Sequence, residues 1–170
     1  MKKIFLYLLI ILNCSSTYLF GQDDCRYKID GVEYYIFLRD RYFNPLKTRS
    51  DTIIHHMNKS AIKSYIGDEK IKFFDIDEDK LISLNSTLKF AFNEYNSISI
   101  DASLSDYHIQ ITNLYKGKKK VTFGHLNLEE ELTGNDDLCD QIRTVMDGGV
   151  SFISFAYDWC TEKLLFFKTR

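Results

Sequence analysis

The spacing of the apolar residues changes after residue 66, and this change restricts the chain to folds that contain both helices and a sheet. Over residues 51–66 the apolar side chains recur at steps of three and four, which lines one face of an amphipathic helix. Ser50 can cap the start of this helix and Gly67 can end it. A second helix is predicted over residues 138–146. Elsewhere apolar and polar residues alternate, as they do in half-buried strands.

Turn sequences separate the alternating stretches, so neighbouring strands are predicted to form hairpins. Asp30-Gly31 suits a tight hairpin turn because glycine accepts positive φ, and Gly117 lies in a lysine-rich turn. The predicted strands cover residues 27–29, 32–38, 71–76, 81–84, 88–93, 98–100, 107–115, 119–125, 150–159 and 163–168. The sequence therefore predicts an α+β fold: an antiparallel sheet, built as a meander of hairpins, with two or three helices packed on one face.

The first residues have the pattern of an export signal. Lys2 and Lys3 precede nine apolar residues at 4–12, a stretch too short to cross a bilayer as a helix of about 20 residues. This pattern predicts a signal peptide over residues 1–21 and a single α+β domain over residues 22–170, exported to the periplasm or the outside of the cell. A mature chain of about 150 residues can bury an ordinary hydrophobic core.

Cys14 offers an alternative to free export. Residues 11–15 resemble a bacterial lipoprotein box, in which the cysteine becomes the lipidated first residue, but such boxes carry Gly, Ala or Ser where this chain has Asn13. Cleavage next to the small residues Cys14 and Ser16, cleavage just before Gln22, and an uncleaved anchor all stay open. A lipid on Cys14 is the only route by which the mature chain is expected to reach a membrane.

The charge balance excludes one large class of function. The chain has 22 basic and 24 acidic residues, a net charge of −2. Removing Lys2 and Lys3 with the leader leaves 20 basic against 24 acidic residues, a net charge of −4. Nucleic-acid binding needs a basic face that displaces counterions from phosphates, so we expect no nucleic-acid partner.

Three cysteines remain after the leader, namely Cys25, Cys139 and Cys160. An exported chain meets an oxidising compartment, which predicts one disulfide and one remaining thiol. We predict the pair Cys139–Cys160, because Cys139 begins a predicted helix and Cys160 lies near the tip of the last hairpin. Spacing alone leaves Cys25 open as an alternative partner.

An acidic stretch is the nearest thing to a chemical motif. Asp75, Asp77 and Asp79 match the first three ligand positions of a calcium-binding EF-hand loop. The sixth position is Lys80 where glycine is needed, and the twelfth is Ser86 where a bidentate glutamate is needed. The flanking residues have the composition of strands, so we predict a solvated hairpin tip and keep a calcium-binding module as an alternative.

The histidines and the nucleophiles form no catalytic motif in the sequence. His55 and His56 are adjacent on a predicted helix, so their side chains diverge by about 100° and cannot address one metal ion together. His108 and His125 fall on neighbouring predicted strands and could face each other on an exposed sheet surface. No P-loop, GxSxG or dinucleotide-binding pattern occurs, and no cofactor or catalytic residue is predicted. A small secreted hydrolase using a histidine–carboxylate pair remains an alternative.

Four lysines in one turn form a compact cationic tip on an acidic protein, and they are the candidates for contact with a partner: Lys116, Lys118, Lys119 and Lys120. The leading functional prediction is an exported, non-enzymatic envelope or periplasmic domain that binds a protein or another envelope ligand. In size and architecture alone, this format resembles bacterial inhibitors and immunity proteins.

Overall fold

The structure, a computed structural model, describes residues 25–37, 49–96, 102–128, 138–139, 141–142 and 152–169. Its strands are β1 (Arg26–Ile29), β2 (Val32–Ile36), β3 (Tyr107–Lys116), β4 (Lys119–Leu128), β5 (Phe152–Asp158) and β6 (Lys163–Thr169). Its helices are α1 (Arg49–Ile66) and α2 (Glu78–Asn96), with a short 3-10 helix at Leu104–Asp106. The six strands form one sheet in chain order. The predicted α+β class is confirmed.

The sheet is antiparallel at every pair of neighbours except one. Strands β2 and β3 are parallel, and both described helices lie between them in the chain. The predicted hairpins β1-β2, β3-β4 and β5-β6 are confirmed. In the first, Asp30 has φ 50° and Gly31 has φ 86°, the positive values that a tight two-residue hairpin turn needs. A sheet built of hairpins alone was therefore the wrong prediction, because a helical crossover joins β2 to β3.

Helix α1 ends where the sequence pattern predicts, but it begins at Arg49, so Ser50 lies within the helix and the prediction that it caps the start is wrong. It ends at Ile66, and Gly67 follows with φ 71° while its N–H donates to the Lys63 carbonyl at 2.7 Å. Its apolar face buries Ala61 and Ile62 together with Ile66. These side chains pack against residues of β3, β4 and β5, so the predicted apolar face is buried over the last two turns of α1. Met57, which the spacing also placed on this face, is 44% exposed, and its neighbour Asn58 is buried.

The acidic stretch begins a helix, and the predicted hairpin tip is wrong. The Asp77 Oδ1 accepts a hydrogen bond from the Lys80 backbone N–H at 2.9 Å, and the Leu81 N–H donates to the Asp77 carbonyl at 3.1 Å. Asp77 is thus the N-cap of α2, and Asp79 lies in the first turn, where the helix dipole favours negative charge. The side chain and backbone N–H of Lys80 hold the pKa of Asp77 below its usual value.

The strands predicted over residues 81–84 and 88–93 are both part of α2. The buried apolar side chains of this helix are Leu81, Leu84, Leu88 and Phe92, at steps of three and four. Phe90, which completes the alternation of residues 88, 90 and 92, is 66% exposed. The alternation of apolar residues at positions 88, 90 and 92 therefore arose by coincidence within a helical pattern.

The predicted strand over residues 71–76 is reduced to one isolated bridge between Phe73 and Leu114. The Phe74 N–H donates to the Asn113 carbonyl at 3.3 Å, and the Tyr115 N–H donates to the Lys72 carbonyl at 2.9 Å. This short segment pairs with β3 beyond the residues that β2 uses. It connects the end of α1 to the start of α2 along one edge of β3.

The two described helices pack on opposite faces of the sheet. In β3, Tyr107, Ile109 and Ile111 belong to the apolar cluster that contains the buried side chains of α2. Leu114, which points the other way, belongs to the cluster that contains those of α1. Because alternate residues of a strand point to opposite faces, the two clusters define an α2 face and an α1 face. Packing of the helices on one face is therefore not confirmed.

The disulfide joins Cys25 to Cys139, with the two Cα atoms 5.9 Å apart, and the predicted Cys139–Cys160 pair is wrong. Cys160 is exposed and free in the turn after β5. Cys25 directly precedes β1, the first strand in the sheet order, whereas Cys160 lies between the last two strands. The sheet order therefore places these two cysteines toward opposite edges, and Cys139 lies at the edge of β1.

Parts of the sequence prediction fall outside the described residues. These are the signal peptide over residues 1–21, the lipidation candidate Cys14 and the strand over residues 98–100. Most of the helix predicted over residues 138–146 also lies outside; its described residues form a turn and a bend. Neither described helix has the length and apolar character that crossing a membrane requires.

Candidate functional site

Two rows of polar side chains run across the α1 face of the sheet, beside the apolar cluster of α1. Strand register aligns the first row as Arg26, Tyr35, Gln110, His125, Ser154 and Lys168, one residue from each strand. It aligns the second row as Lys28, Glu33, His108, Asn127 and Phe152. In each strand, these positions lie next to residues whose side chains face α2. Because neighbouring residues of a strand point to opposite faces, all of these positions share the α1 face. We name these residues the polar rows.

His125 is held between two hydroxyl groups. Its Nδ1 lies 3.1 Å from the Ser154 Oγ, and its Nε2 lies 2.5 Å from the hydroxyl of Tyr65 on α1. The imidazole stacks on the Phe152 ring with centroids 4.7 Å apart, and Tyr65 stacks on Phe123 at the same distance. His125 is buried, so helix α1 and strand β5 together fix its position.

His108 belongs to a separate chain of hydrogen bonds that ends at a carboxylate. The Tyr35 hydroxyl donates to the Glu33 Oε2 at 3.0 Å, so its oxygen is left to accept from the His108 Nδ1–H, 3.0 Å away. Arg26 donates to the same Glu33 oxygen at 2.7 Å. Burial raises the pKa of the Glu33 carboxyl, but the hydrogen bonds from Arg26 and Tyr35 outweigh burial, and this pKa lies below its usual value.

The two histidines predicted on neighbouring strands do lie on one face, but they are not opposite each other. His108 pairs with Asn127, and His125 pairs with Gln110, so the imidazoles are diagonal neighbours. His108 is half-buried and His125 is buried, which corrects the prediction that both stand on an exposed sheet face. Helix α1 covers this part of the sheet, and that contact could not be foreseen from the strand pattern.

A short segment that includes Cys139 is fixed over the first polar row. The Gln110 Nε2 donates to the carbonyls of Leu138 and Gln141 at 2.5 Å and 2.6 Å. The Ile142 N–H donates to the Oδ1 of Asn58, which lies on α1, at 2.7 Å. The disulfide is a further attachment of this segment, so residues 138–139 and 141–142 are held by β3, α1 and Cys25 together.

Asn127 carries an unsatisfied polar atom at the buried end of the second row. Its Nδ2 donates to the carbonyls of His108 and His125 at 3.3 Å and 3.4 Å. Its Oδ1 is buried and has no hydrogen-bond partner, which holds for no other buried side-chain nitrogen or oxygen of the described residues. Rotating the amide by 180° would place Oδ1 against two carbonyl oxygens, so the donors must stay where they are.

The other residues singled out by sequence are not brought together. His56 is exposed on α1, and the side chain of His55 lies outside the described part of the chain. Asp75 is exposed, while Asp77 caps α2. The described residues contain no group of three or more His, Cys, Asp or Glu side chains that could hold a metal ion. The calcium alternative at Asp75, Asp77 and Asp79 therefore gains no support from the geometry.

The lysine turn between β3 and β4 is exposed but partly engaged within the chain. The Lys119 Nζ donates to the Asp158 Oδ2 at 3.1 Å, and the Lys120 Nζ lies 5.6 Å from the centroid of the Phe74 ring. Asp158 is buried; the Cys160 backbone N–H and the Lys119 side chain hold its pKa below its usual value. The predicted partner contacts are exposed at all four positions: Lys116, Lys118, Lys119 and Lys120.

Sequence reasoning missed most of the residues that surround the histidines. Glu33, Tyr35 and Ser154 lie in strands that were correctly predicted, whereas Asn127 lies two residues beyond the predicted strand 119–125, in the part of β4 that the prediction did not include. The available signal was the period of two, which places Asn127 on the same face as His125. No sequence pattern indicated a role for Tyr65, which was counted among the apolar residues of α1. The partner of its hydroxyl group, His125, lies 60 residues away in the sequence.

No protein-family model matches this chain, and no curated protein and no solved structure matches it significantly. The polar rows, with a buried unpaired acceptor and two histidines in separate hydrogen-bond chains, are the feature with the most chemical content.

Proposed function

We propose that the protein is an exported, non-enzymatic binding domain, and that its ligand presents a hydrogen-bond donor to Asn127 in the polar rows. The unpaired Asn127 Oδ1 is the observation that carries this proposal. A buried acceptor without a partner costs about 1–3 kcal/mol, so a ligand N–H or O–H group that pairs with it would recover that cost. The ligand class is a small molecule, or a side chain, that carries an ammonium, amide or hydroxyl group.

Exposure along the second row supports approach from one side. The Lys28 side chain is exposed, those of Glu33 and His108 are 24% and 16% exposed, and Asn127 is 1% exposed. Solvent access thus falls steadily from the edge of the sheet toward the unpaired acceptor. The Glu33 carboxylate lies along the same row, but it is already paired with Arg26 at 2.7 Å and with Lys28 at 3.8 Å, so it adds no selection for a cationic ligand.

Export is supported by the leader pattern and by the disulfide. A stable disulfide is typical of oxidising compartments, and the Cys25–Cys139 bond joins two residues that both follow the predicted leader. We propose the periplasm or the outside of the cell as the location, with lipid attachment at Cys14 as the alternative form. Intact mass of the protein recovered from its own cells distinguishes a lipidated Cys14 from a chain cleaved before Gln22.

Native mass spectrometry tests the ligand proposal directly. The protein is recovered from its own cell envelope under conditions that keep weak complexes, and wild type is compared with Asn127→Leu. We expect wild type to carry an additional small mass that the variant lacks, because leucine removes the acceptor and leaves the side-chain volume similar. Wild type without any additional mass would show that no small ligand is retained there.

Asn113→Leu is the matched control. Asn113 is also a buried asparagine, on β3, but its Oδ1 already accepts a hydrogen bond from the Thr122 hydroxyl at 2.6 Å. This variant is expected to lose stability and to keep the ligand. Loss of the ligand from both variants to the same extent would attribute the effect to destabilisation and would contradict the assignment to Asn127.

A second candidate function follows from the contact between His125 and Ser154. An imidazole nitrogen 3.1 Å from a serine hydroxyl is placed to remove its proton, as a nucleophilic hydrolase requires. Ser154 is buried, which restricts this reaction to a small substrate. The predicted histidine–carboxylate pair corresponds instead to His108 and Glu33, whose nearest hydroxyl is that of Tyr35.

A fluorophosphonate probe tests the second candidate. If Ser154 is an activated nucleophile, we expect one covalent adduct at Ser154 that is absent from Ser154→Ala and strongly reduced in His125→Gln. The unmodified mass of wild type after prolonged exposure would reject the hydrolase. That outcome leaves the binding proposal intact, because the binding proposal rests on Asn127.

A further inference from the structure

Strand β6 forms an open edge of the sheet. It is the last strand in the sheet order, and among the described residues it pairs with β5 alone. The alternate N–H and C=O groups that point away from β5 therefore have no strand beside them within the described chain. Such an edge is a template for pairing with another extended segment.

Strand β6 is the only described strand that has no buried residue. Its burial alternates between exposed and partly exposed residues, whereas every residue of β5 is buried. The adjacent residues Leu165 and Phe166 are 52% and 38% exposed. Adjacent apolar side chains on an open edge are unfavourable in water unless a partner covers them.

The charge of β6 indicates which partner it suits. Lys163 and Lys168 lie near the two ends of the strand, and the Lys168 Nζ is 5.5 Å from the centroid of the Phe166 ring. The strand contains no acidic residue, although the whole chain has a net charge of −2. An apolar centre between two cations is complementary to an extended segment with an apolar centre and acidic ends.

A second copy of this chain is a poorer occupant of the edge. In an antiparallel self-pair that sets Lys163 opposite Lys168, like charges would face each other, which is destabilising. The β5-β6 register also shifts between Ala156 and Tyr157, so that Leu165 is an extra residue on β6. Edge lysines and bulges are devices by which proteins suppress pairing between identical edges.

We propose that β6 binds an acidic, extended segment of a different envelope protein as a seventh strand of the sheet. Backbone hydrogen bonds would supply the pairing, Leu165 and Phe166 the apolar contact, and the two lysines the charge recognition. This surface does not include Asn127, although Lys168 is also the last residue of the first polar row. It gives the exported domain an inhibitor-like mode of action that does not depend on the small-ligand proposal.

The test uses two synthetic peptides with the same alternating valine–isoleucine centre, one with glutamate ends and one with lysine ends. Fluorescence anisotropy measures binding to the full mature chain, and amide chemical shifts locate it. We expect the glutamate peptide to bind at low salt, with shifts concentrated in β6, and the lysine peptide to bind at least about tenfold more weakly. Shifts confined to another surface would overturn the proposal.

Charge reversal supplies the decisive comparison. The double variant Lys163→Glu/Lys168→Glu should lose the glutamate peptide by about tenfold or more and gain the lysine peptide, a reversal that unfolding cannot produce. Phe90→Ser, an exposed apolar site on α2, is the matched control and should bind as wild type does. Unchanged peptide preference in the double variant, or a dimer in sedimentation that occupies β6, would contradict the proposal. Normal peptide binding by Asn127→Leu separates this test from that of the polar rows.

Discussion

Loss of the Cys25–Cys139 disulfide is expected to lower the free energy of unfolding by about 4–5 kcal/mol. The two cysteines are 114 residues apart in sequence, so the bond removes a large loop-closure entropy from the unfolded chain. Urea unfolding of the mature chain, measured with and without reductant, gives the effect, and Cys25→Ser gives it without reductant. A loss of this size is comparable to the whole stability of many domains.

Cys160→Ser is the control for this experiment. Cys160 is exposed and free, so its substitution should leave the unfolding midpoint unchanged and remove thiol exchange during refolding. In that background, an oxidised and a reduced sample with the same midpoint would contradict the prediction. In the folded reduced form, residues 138–139 and 141–142 are still connected to β3 and α1 through the hydrogen bonds of Gln110 and Asn58.

Leu88→Ala is expected to lower the free energy of unfolding by about 2–5 kcal/mol, whereas Phe90→Ala should change it by less than about 0.5 kcal/mol. Leu88 is completely buried between α2 and the sheet, and its truncation leaves a cavity. Phe90 is mostly exposed, so its ring loses little on removal. Thermal and urea unfolding of the two variants measure the difference.

This pair of variants distinguishes a helix from a strand at residues 88–93. In a strand, Leu88 and Phe90 would point to the same face and both truncations would be costly. In a helix they point about 200° apart, and only one is costly. Equal losses for the two variants would contradict α2 as described. Leu84→Ala, at another buried position of α2, provides a second example of the expected loss.

The elements that sequence predicted correctly are those whose signals are local. Helix α1 has a continuous apolar face and Gly67 at its end, so its period and its stop agree. The β1-β2 turn needs positive φ at Asp30 and Gly31, and this dipeptide accepts it. In both cases the preferred backbone conformation of a few residues is sufficient, and tertiary contacts only reinforce it.

Helix α2 was missed because its local signals fit two structures. Leu88 and Phe92 are compatible with both periods, and Phe90 between them favoured the strand. The aspartates before the helix suit either a turn or an N-cap, since both place a side-chain oxygen near backbone N–H groups. The burial of Leu81 and Leu84 against the sheet favours the helix over the strand. This packing involves distant parts of the chain, so it cannot be recognised from a short segment of sequence.

The candidate site could be predicted only in part. Register places His108 and His125 on one face, which the strand pattern had already indicated. Their burial, the contact of Tyr65 with His125 and the unpaired Asn127 oxygen depend on how α1 lies on the sheet. A hydrogen bond between residues far apart in sequence leaves no pattern in the local sequence. The periodicity of the strands therefore could not predict the chemistry of the site.

The sequence by itself determined the α+β class, the end of α1, the hairpins β1-β2, β3-β4 and β5-β6, and a slightly acidic net charge, because each depends on composition or on residue preferences within a few positions. The tertiary structure alone decided that β2 and β3 are parallel, that the two helices cover opposite faces, and that Cys25 is the partner of Cys139. Each of these features is one of several long-range arrangements that the local conformational preferences of the residues do not distinguish. They are settled by the total apolar burial and hydrogen bonding of the whole chain, which no short segment contains.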